Sequence, residues 1–399
     1  MPETVALPAL PHGWEYQELD KLLMPKGISY GIVQPGSDDR SGIPIIRVKD
    51  IRRRQVFTGE VMRVSPDIES AYSRTRLEGG EVLLSLVGSV GEVAIAPAEV
   101  VGWNVARAVA VLKIAGGVSS QWIMHCLTTD LVRQHMGMWQ NTTVQATLNL
   151  RDVRRLPIVL PPKAERDAIL AVLGALDDKI VANERIAATA DELVQALFDA
   201  AVGAEHVVLK LPAAIGLTFG APFTSSQFNS ESVGLPLMRI RDLKTFEPQN
   251  WTTQRLPKDR LVQPGETVAG MDAEFRPTFW LGKPALLNQR VLLAASLVGG
   301  GSALAREILR RPLAHVESYK TGTTVAHLNK NDLDGLDVTV PGAAQVLEFG
   351  AKAEPLRQQI VAAAAEKRTL TSLRDTLLPK LMSGQLTVKQ AETLAEDVI

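Results

Sequence analysis

The sequence predicts an α+β fold in which two β-rich globular parts are separated by two long antiparallel α-helices that form a coiled coil. Three observations lead to this prediction. Apolar residues follow a heptad pattern across residues 164–202, the same pattern recurs 180 residues later, and similar β-branched runs precede both copies. Because these features occur twice in the same order, we expect an internal repeat with pseudo-twofold symmetry.

The first long helix is indicated by apolar residues spaced three and four positions apart. Pro161 and Pro162 precede it, where a helix start tolerates proline, and Gly203 follows it, where a helix end is expected. Asn183 is the polar position of this seam; it either fixes the register of the coil or lies at a solvated edge, and both interpretations stay open. The apolar seam positions are Leu173, Leu176, Ile180, Ala187, Ala190, Val194 and Leu197.

The second long helix repeats the first at a constant offset of 180 residues, so that Ile360 matches Ile180 and Leu377 matches Leu197. We expect it to begin at about Ala344 or Glu354, with Pro355 in its first turn, and to end at Met382. Two charged seam positions make this copy weaker than the first. Either the seam is wider than that of a two-stranded coil, or these side chains reach out at its edge. The predicted seam is Leu356, Ile360, Ala363, Lys367, Leu370, Arg374 and Leu377.

Shorter strings repeat ahead of each helix with a drifting offset. Residues 27–31 resemble residues 216–220, and residues 43–51 (IPIIRVKDI) resemble residues 235–243 (LPLMRIRDL). Chance similarity of short apolar strings is the alternative, and the shared order of the strings argues against it. The chain is therefore interpreted as a duplicated unit, each copy a globular part with variable loops followed by a helix of fixed length.

Length and composition indicate a globular protein that works in a reducing compartment. A chain of 399 residues accommodates two or three domains. Its net charge of −1 does not indicate a general affinity for nucleic acid. Cys126 is the single cysteine, which excludes a disulfide within the chain. The N-terminal residues lack the pattern of a signal peptide, and no apolar run is long enough for a membrane span. We expect a cytoplasmic protein without membrane association.

The two globular parts are predicted to be rich in strands. In the first part, residues 43–51 would place Arg47 and Lys49 on one face of a strand. Residues 119–136 are predicted to be helical, as are residues 302–311 in the second part. The other predicted strands are residues 81–96 as a pair around Gly88 to Gly91, then 105–114, 156–160, 266–269, 291–298 and 338–340.

A single heptad helix cannot bury its own seam, so each copy needs a partner, and the other copy is the nearest candidate. The intervening residues would allow an antiparallel pairing, which places one globular part at each end. A parallel pairing would place both at the same end. A helix of about 38 residues would span roughly 57 Å and act as a ruler.

Motifs for catalysis and for metal binding are absent from the sequence. No glycine-rich nucleotide loop and no serine nucleophile motif occurs. His125, Cys126 and His135 match no standard metal-ligand spacing. Residues 177–179 (DDK) resemble the carboxylate-lysine motif of nucleases. They fall within the heptad helix, where the side chains of adjacent residues point in different directions. We therefore predict no catalytic residue and no metal ligand.

Two local basic patches are the positive signal for function. Residues 39–63 carry an excess of four positive charges, and residues 239–260 carry an excess of three at the matching place in the second part. A charge run often marks only a solvated face. Symmetric placement in both parts favours DNA binding, in which Arg and Lys contact phosphates.

The repeated strings resemble the specificity subunit of type I restriction–modification systems. The resemblance rests on IPIIRVKDI and LPLMRIRDL, on Gly80-Glu81 and Gly265-Glu266, on residues 323–329 (TTVAHLN), and on the C-terminal string 373–384 (LRDTLLPKLMSG). The second part departs from the first in having no Gly-x-x-Gly string within residues 275–280 and no counterpart of Arg53 and Arg54.

The resemblance implies five segments: residues 1–161 as a first target-recognition domain, 162–202 as a first spacer helix, 203–343 as a second target-recognition domain, 344–384 as a second spacer helix and 385–399 as a tail. It implies a non-catalytic subunit that reads a bipartite double-stranded DNA target and docks methyltransferase subunits, joined by a restriction or translocase subunit. S-adenosylmethionine and ATP would bind to those partners, so no cofactor is expected here.

Candidate residues follow from the basic patches and the repeated polar strings. The candidate DNA contacts are Arg47, Lys49, Arg52, Arg53, Arg54, Thr142, Thr143, Gln145, Arg239, Arg241, Lys244, Arg276, Thr323 and Thr324. The candidate coil and partner-docking residues are Leu173, Leu176, Ile180, Asn183, Leu197, Leu356, Ile360, Leu370 and Leu377. Two other functions stay open, a DNA-modifying enzyme that acts alone and a tandem adaptor that binds only proteins.

Overall fold

The computed structural model describes residues 6–140, 146–272, 274–320 and 327–396. The chain forms two compact units. Unit 1 comprises residues 1–177 and 372–399, and unit 2 comprises residues 178–371, so that each unit contains a segment of both long helices. These two compact units do not correspond to the five segments that the resemblance implies, and the five-segment division stays a prediction.

The first long helix is preceded by eleven short strands and four helices in the described residues. The strands are β1 (Glu15–Glu18), β2 (Leu23–Tyr30), β3 (Ile43–Ile46), β4 (Ile51–Arg52), β5 (Gln55–Val56), β6 (Met62–Val64), β7 (Val82–Ser85), β8 (Val93–Ile95), β9 (Asn104–Val105), β10 (Val109–Ile114) and β11 (Pro157–Leu160). The helices are α1 (Pro66–Ser70), α2 (Ser120–Thr128), α3 (Asp130–Trp139) and α4 (Leu150–Arg154). The first long helix is α5 (Lys163–Ala204).

Ten strands lie between the two long helices in the described residues. They are β12 (His206–Lys210), β13 (Ile215–Phe219), β14 (Leu235–Met238), β15 (Trp251–Thr252), β16 (Leu261–Val262), β17 (Thr267–Gly270), β18 (Pro277–Phe279), β19 (Ala285–Leu287), β20 (Val291–Ser296) and β21 (Asp337–Pro341). The remaining helices are α6 (Leu211–Ala214), α7 (Gly301–Lys320), α8 (Lys330–Asp334), the second long helix α9 (Ala343–Met382) and α10 (Val388–Glu396).

Unit 1 is built around an antiparallel four-stranded sheet in the order β2-β10-β7-β8. A three-stranded sheet in the order β6-β3-β9 contains a parallel pair, β3 with β9. Two-stranded pairs, β1-β11 and β4-β5, complete the unit. Strands β7 and β10 are buried along most of their length, with Leu83, Leu84 and Leu112 fully covered, so the four-stranded sheet forms the core.

Unit 2 repeats the main features of this arrangement. Its four-stranded sheet has the order β13-β20-β17-β18, again antiparallel throughout, and β12 pairs with β21 as β1 pairs with β11. Its second sheet, in the order β15-β14-β19-β16, contains the equivalent parallel pair, β14 with β19. The duplication inferred from sequence is therefore present in the strand order, and the α+β fold class is confirmed.

Two equivalent glycines allow the backbone to pass closely at the end of β2 and of β13. A Cβ atom on Gly31 would lie 2.1 Å from the carbonyl oxygen of Val105, and one on Gly220 would lie 1.9 Å from that of Asn288. Only glycine fits such an approach without moving the backbone. Packing therefore requires the second glycine of the repeated string Gly-x-x-x-Gly in both units.

The long helices pair in antiparallel fashion within unit 2. Glu184 of α5 forms an ion pair with Lys367 of α9 (2.6 Å), whereas Phe198, further along α5, packs edge-on against Phe349, earlier in α9 (6.0 Å between ring centroids). Within unit 1, Asp177 of α5 accepts a 2.6 Å hydrogen bond from Arg374 of α9. The two charged seam residues of α9 therefore each meet a carboxylate of α5.

Most predicted seam residues are buried. Leu173, Leu176, Ile180, Ile360, Leu370 and Leu377 are each at most 6% exposed. Asn183 is also 6% exposed, which does not fit a solvated edge. Leu197 and Leu356 are only partly buried, and Phe198 takes the buried position that the heptad spacing assigned to Leu197, because α5 keeps steps of four from Ala190 to Val194 to Phe198.

Three sequence predictions about local structure were wrong. Residues 43–51 do not form one strand, because β3 ends at Ile46 and a 3-10 turn covers Val48–Asp50. The predicted helix 119–136 is two helices, separated by Thr129 in an extended conformation. Pro355 lies well inside α9 instead of in its first turn, because the helix begins at Ala343.

Among the described residues, no helix has both the length and the apolarity that a membrane crossing requires.

The glycine packing gives a stability prediction. Gly220→Ala should lower the free energy of unfolding by about 2–3 kcal/mol, since its Cβ atom would overlap the Asn288 carbonyl. Gly174→Ala is the matched control, because no atom lies within 4 Å of its Cβ position in α5 and alanine favours a helix by about 1 kcal/mol. Thermal and urea unfolding measure both, and an unchanged stability of Gly220→Ala would contradict the equivalence of the two glycines.

Candidate nucleic-acid interface

An aspartate closes the same turn in both units. The backbone N–H groups of Arg47 and Arg239 each donate a 2.9 Å hydrogen bond to the carboxylate three residues later, Asp50 and Asp242 respectively. Asp50 is 5% exposed and Asp242 is 1% exposed. Burial raises the pKa of the Asp242 carboxyl. Each turn directly follows a strand of the parallel pair, so the repeated R-[V/I]-[K/R]-D string encodes a structural device as well as a basic patch.

Unit 1 contains a groove of about 1030 Å³ beside this turn. Lys49 and Arg52 line it with exposed side chains, and the guanidinium of Arg52 lies 4.8 Å from the centre of the Phe57 ring. The opposite wall includes Gly88 and Ser89 from the loop between β7 and β8. The groove thus presents two exposed cations and an aromatic ring to a ligand.

Arg47 also lines the groove, but its side chain is held by the protein. Its Nε atom donates to Asp50 (3.0 Å) and its Nη2 atom donates to the carbonyl of Glu60 (2.7 Å). These contacts leave Arg47 half-buried. We therefore treat Arg47 as a support of the turn that can still add positive charge to the groove.

A two-residue hairpin carries Arg53 and Arg54. Strands β4 and β5 pair Arg52 with Gln55, and both residues between them have positive φ, 52° for Arg53 and 63° for Arg54. Hairpin turns of this geometry favour Asn-Gly, since a side chain with a Cβ atom strains the left-handed region. The exposed side chain of Arg53 occupies the tip of this strained turn.

Arg54 is far less exposed than its neighbours among the candidate DNA contacts. Its side chain is 17% exposed, and its Nη2 atom pairs with Asp375 of α9 at 3.0 Å. Counting charges along the sequence could not separate it from Arg53, because neighbouring residues of a turn point in different directions. We reassign Arg54 to the packing of the hairpin against α9.

The described chain resumes at the rim of the groove after residue 145. The carbonyl of Ala146 accepts a hydrogen bond from Gly88 N–H (3.1 Å), and Leu148 N–H donates to Leu86 (2.9 Å). In unit 2, Leu328 N–H donates to Met271 in the equivalent way (2.8 Å). Five predicted DNA contacts precede these anchors in the sequence and lie outside the described residues: Thr142, Thr143, Gln145, Thr323 and Thr324.

The predicted cations of unit 2 are engaged in local pairs. Arg239 and Arg241 both donate to the side-chain carbonyl of Asn250, at 3.1 and 2.6 Å, and Lys244 pairs with Glu274 at 2.6 Å. Arg276 is exposed. Unit 2 therefore brings Arg239 and Arg241 together around one amide, while Lys244 and Arg276 lie on other segments.

Sequence reasoning missed Arg107. It is exposed and lies between Ala106 and Ala108, both of which line the groove of unit 1. Its backbone N–H donates to Ile32 (2.8 Å), as Gln289 N–H donates to Ala221 in unit 2 (2.9 Å). The sequence feature that could have identified Arg107 is its position as a single arginine within an apolar, strand-like segment. A search for dense basic patches does not detect such an isolated cation.

His125 and Cys126 of α2 and His135 of α3 are packed in the core of unit 1. His125 is 2% exposed, and burial lowers its pKa to about 4. Burial raises the pKa of the Cys126 thiol, whose Sγ atom lies 3.8 Å from the Val159 carbonyl. The ring of His135 contacts the carbonyl of Leu131 at 2.8 Å. In the part of the chain that the structure describes, no three metal-ligating side chains come together.

The groove and its turn fall within a recognised domain. Residues 37–190 match the family model described as the type I restriction modification DNA specificity domain. The match includes the turn Val48–Asp50, the β4-β5 hairpin and the start of α5, and it confirms the resemblance seen in the sequence.

Two curated relatives and one solved structure are similar to the chain. A segment of 195 residues, 48% of this chain, is 28% identical to the specificity subunit of type I restriction enzyme EcoBI from Escherichia coli and covers 41% of its length. The specificity subunit of MjaIX from Methanocaldococcus jannaschii is 20% identical over 69% of this chain and 71% of its own. The crystal structure of the S subunit of the M. genitalium type I system matches with a TM-score of 0.54 and 12% identity, covering 95% of this chain and 98% of that one, which shows the shared fold.

The strained hairpin gives a second stability prediction. Arg53→Gly should raise the free energy of unfolding by about 1 kcal/mol, since glycine adopts positive φ without the strain of a Cβ atom. Arg52→Gly in the adjacent strand is the control and should lower it by about 0.5–1 kcal/mol. Urea unfolding distinguishes the two, and equal destabilisation by both substitutions would contradict the turn geometry.

The buried histidine gives a pH prediction. The pKa of His125 is about 4 in the folded chain and 6.5 when unfolded, so the unfolded chain binds more protons between these values and stability falls as the pH is lowered. Wild type should lose about 2 kcal/mol between pH 7 and pH 5 relative to His125→Gln. Unfolding free energies measured across this range test it, and parallel pH profiles for the two proteins would show that His125 is not buried in its neutral form.

Proposed function

We propose that the chain is the DNA-specificity subunit of a type I restriction–modification complex, which reads a bipartite target in double-stranded DNA and docks methyltransferase subunits. One observation carries the proposal: the groove with exposed Lys49 and Arg52 lies inside the segment that matches the DNA specificity domain. Exposed cations supply phosphate contacts, and the side chains that line a groove can contact base edges.

The duplication supports reading of two half-sites. Unit 2 repeats the order of the four-stranded sheet of unit 1 and the aspartate-closed turn at Arg239. The local chemistry differs, since Arg239 and Arg241 share Asn250 whereas Lys49 and Arg52 line a groove. Two equivalent frames with different side chains suit a protein that recognises two different short sequences.

Partner docking requires an apolar surface that the seam does not provide, because the predicted docking residues are largely buried. A second stripe of α5 is exposed and recurs at alternating steps of four and three residues. Ile186 and Leu193 are its large members, 41% and 46% exposed. The stripe comprises Ala182, Ile186, Thr189, Leu193, Ala196 and Ala200. Alanine and threonine at this spacing let another helix approach closely, and we assign the docking of a methyltransferase subunit to this stripe.

The chain would contribute no catalytic group to the complex. In this proposal S-adenosylmethionine and ATP bind to the methyltransferase and to a restriction or translocase subunit, and the complex works in the cytoplasm without membrane contact. Support comes from the family match and from the burial of His125 and Cys126, which keeps both side chains away from any substrate.

The groove gives a DNA-binding prediction. Lys49→Glu combined with Arg52→Glu should weaken binding of the methyltransferase-bound chain to its target about 10- to 100-fold at low salt. It should also reduce the slope of log affinity against log salt by roughly two, one for each lost phosphate contact. Titration of labelled DNA at several salt concentrations measures both quantities.

The control for this experiment is Lys163→Glu, which reverses the charge of an exposed lysine that pairs with Asp167 on α5. It should leave affinity and slope unchanged. Equal binding by the double variant and wild type would favour the adaptor that binds only proteins. Methyl transfer or cleavage by the chain alone, with S-adenosylmethionine and Mg²⁺, would instead show a DNA-modifying enzyme.

A further inference from the structure

Two adjacent arginines of the β4-β5 hairpin have opposite surroundings. Arg53 is exposed at the tip, whereas Arg54 is mostly buried and reaches Asp375 of α9. The turn that holds them has positive φ at both residues, so the hairpin keeps this shape only because something fixes it. The ion pair between Arg54 and Asp375 is made by one of the two residues that have positive φ.

The attachment continues as a row of alternating charges. Asp375 accepts hydrogen bonds from Arg54 (3.0 Å) and from both Nε and Nη2 of Arg374 (3.1 and 3.0 Å). Arg374, with a side chain 13% exposed, donates in turn to Asp177 of α5 (2.6 Å). The row therefore links the hairpin to α9 and α9 to α5, all within unit 1.

The neighbouring histidine adds no charge to this row. His125 of α2 is buried beside Arg54, Arg374 and Asp177, and its low pKa keeps it neutral. Two guanidiniums thus balance two carboxylates. The two guanidiniums are mostly covered, with side chains 17% and 13% exposed, whereas the Asp375 side chain is 52% exposed. Loss of Asp375 would remove the carboxylate that pairs with the mostly covered Arg54.

We propose that Arg54 is a positioning residue, which through Asp375 sets the orientation of the hairpin that presents Arg52 and Arg53 to the first half-site of the DNA. This inference rests on the proposed function. Loss of the link leaves the hairpin free to shift, and a displacement of about 1 Å is enough to weaken contacts that depend on geometry.

The described residues of unit 2 have no hairpin equivalent to β4-β5 at this place. The strand that follows its turn, β15, pairs with β14 and does not form a hairpin of its own. Substitution of Arg54 should therefore affect reading of one half-site and spare the other. The second half-site provides an internal reference in the same molecule.

The test uses the complex with its methyltransferase subunit and a DNA library randomised at both half-sites. Bound DNA is sequenced for wild type, Arg54→Ala, Asp375→Ala and the double variant. We expect each single variant to lose about tenfold in discrimination at the half-site that depends on Lys49 and Arg52, a loss equivalent to about one base contact. The double variant should be no worse than Asp375→Ala, because Arg54→Ala removes an interaction that Asp375→Ala has already removed.

Two further variants separate positioning from folding. Arg54→Lys keeps the charge but loses the planar fork, so its discrimination should lie between those of wild type and Arg54→Ala. Lys163→Ala breaks the exposed pair with Asp167 and should change nothing. Normal preference at the second half-site shows that each variant is folded and assembled, and Asp375→Asn replaces Asp375→Ala if the latter does not assemble.

The outcomes are distinct. Wild-type preference at the first half-site in Arg54→Ala, or an equal loss at both half-sites, would overturn the positioning role and leave the proposed function intact. A wild-type complex with no preference at either half-site would overturn the proposed function itself.

Discussion

The architecture depends on how charge is accommodated on the seam between the long helices. A cation on an apolar seam destabilises a coil unless a carboxylate on the facing helix compensates it. In unit 2 Lys367 meets Glu184, and in unit 1 Arg374 meets Asp177. Such pairs are compatible with one register, because sliding either helix by a turn separates them by about 5 Å. The charged positions therefore specify pairing where alanine-rich segments would tolerate several alignments.

The fold class and the duplication could be predicted because they depend on periodic patterns. Heptad spacing identified α5 and α9, and repeated strings identified the duplication that the equivalent strand orders of the two units show. The errors arose where a local device overrides the pattern. The carboxylate of Asp50 accepts a hydrogen bond from the Arg47 N–H, and the strand ends there. The helix continues through Pro355 because the packing of α9 outweighs the cost of one proline.

The candidate site was less predictable, because a basic patch in a sequence says nothing about the partner of each cation. Arg52, Arg53 and Arg54 are consecutive, yet the first lies over Phe57, the second is exposed and the third is buried against Asp375. Arg107, in the turn between β9 and β10, lies between two residues that line the groove. These differences come from turn geometry and tertiary packing, which a count of charges does not contain.

The two units also differ in how they accommodate a buried ionisable residue. The helix that follows the central sheet places an ionisable residue under cover in both, His125 in α2 and Glu307 in α7. Glu307 is neutralised by Arg306 and Arg310 of its own helix. In unit 1, Arg54 of the hairpin comes close to His125, so the hairpin takes part in the packing of α2. Under the proposed function, the hairpin that presents Arg52 and Arg53 therefore cannot change freely, because replacing it would also remove Arg54 from the row of charges that joins α9 to α5.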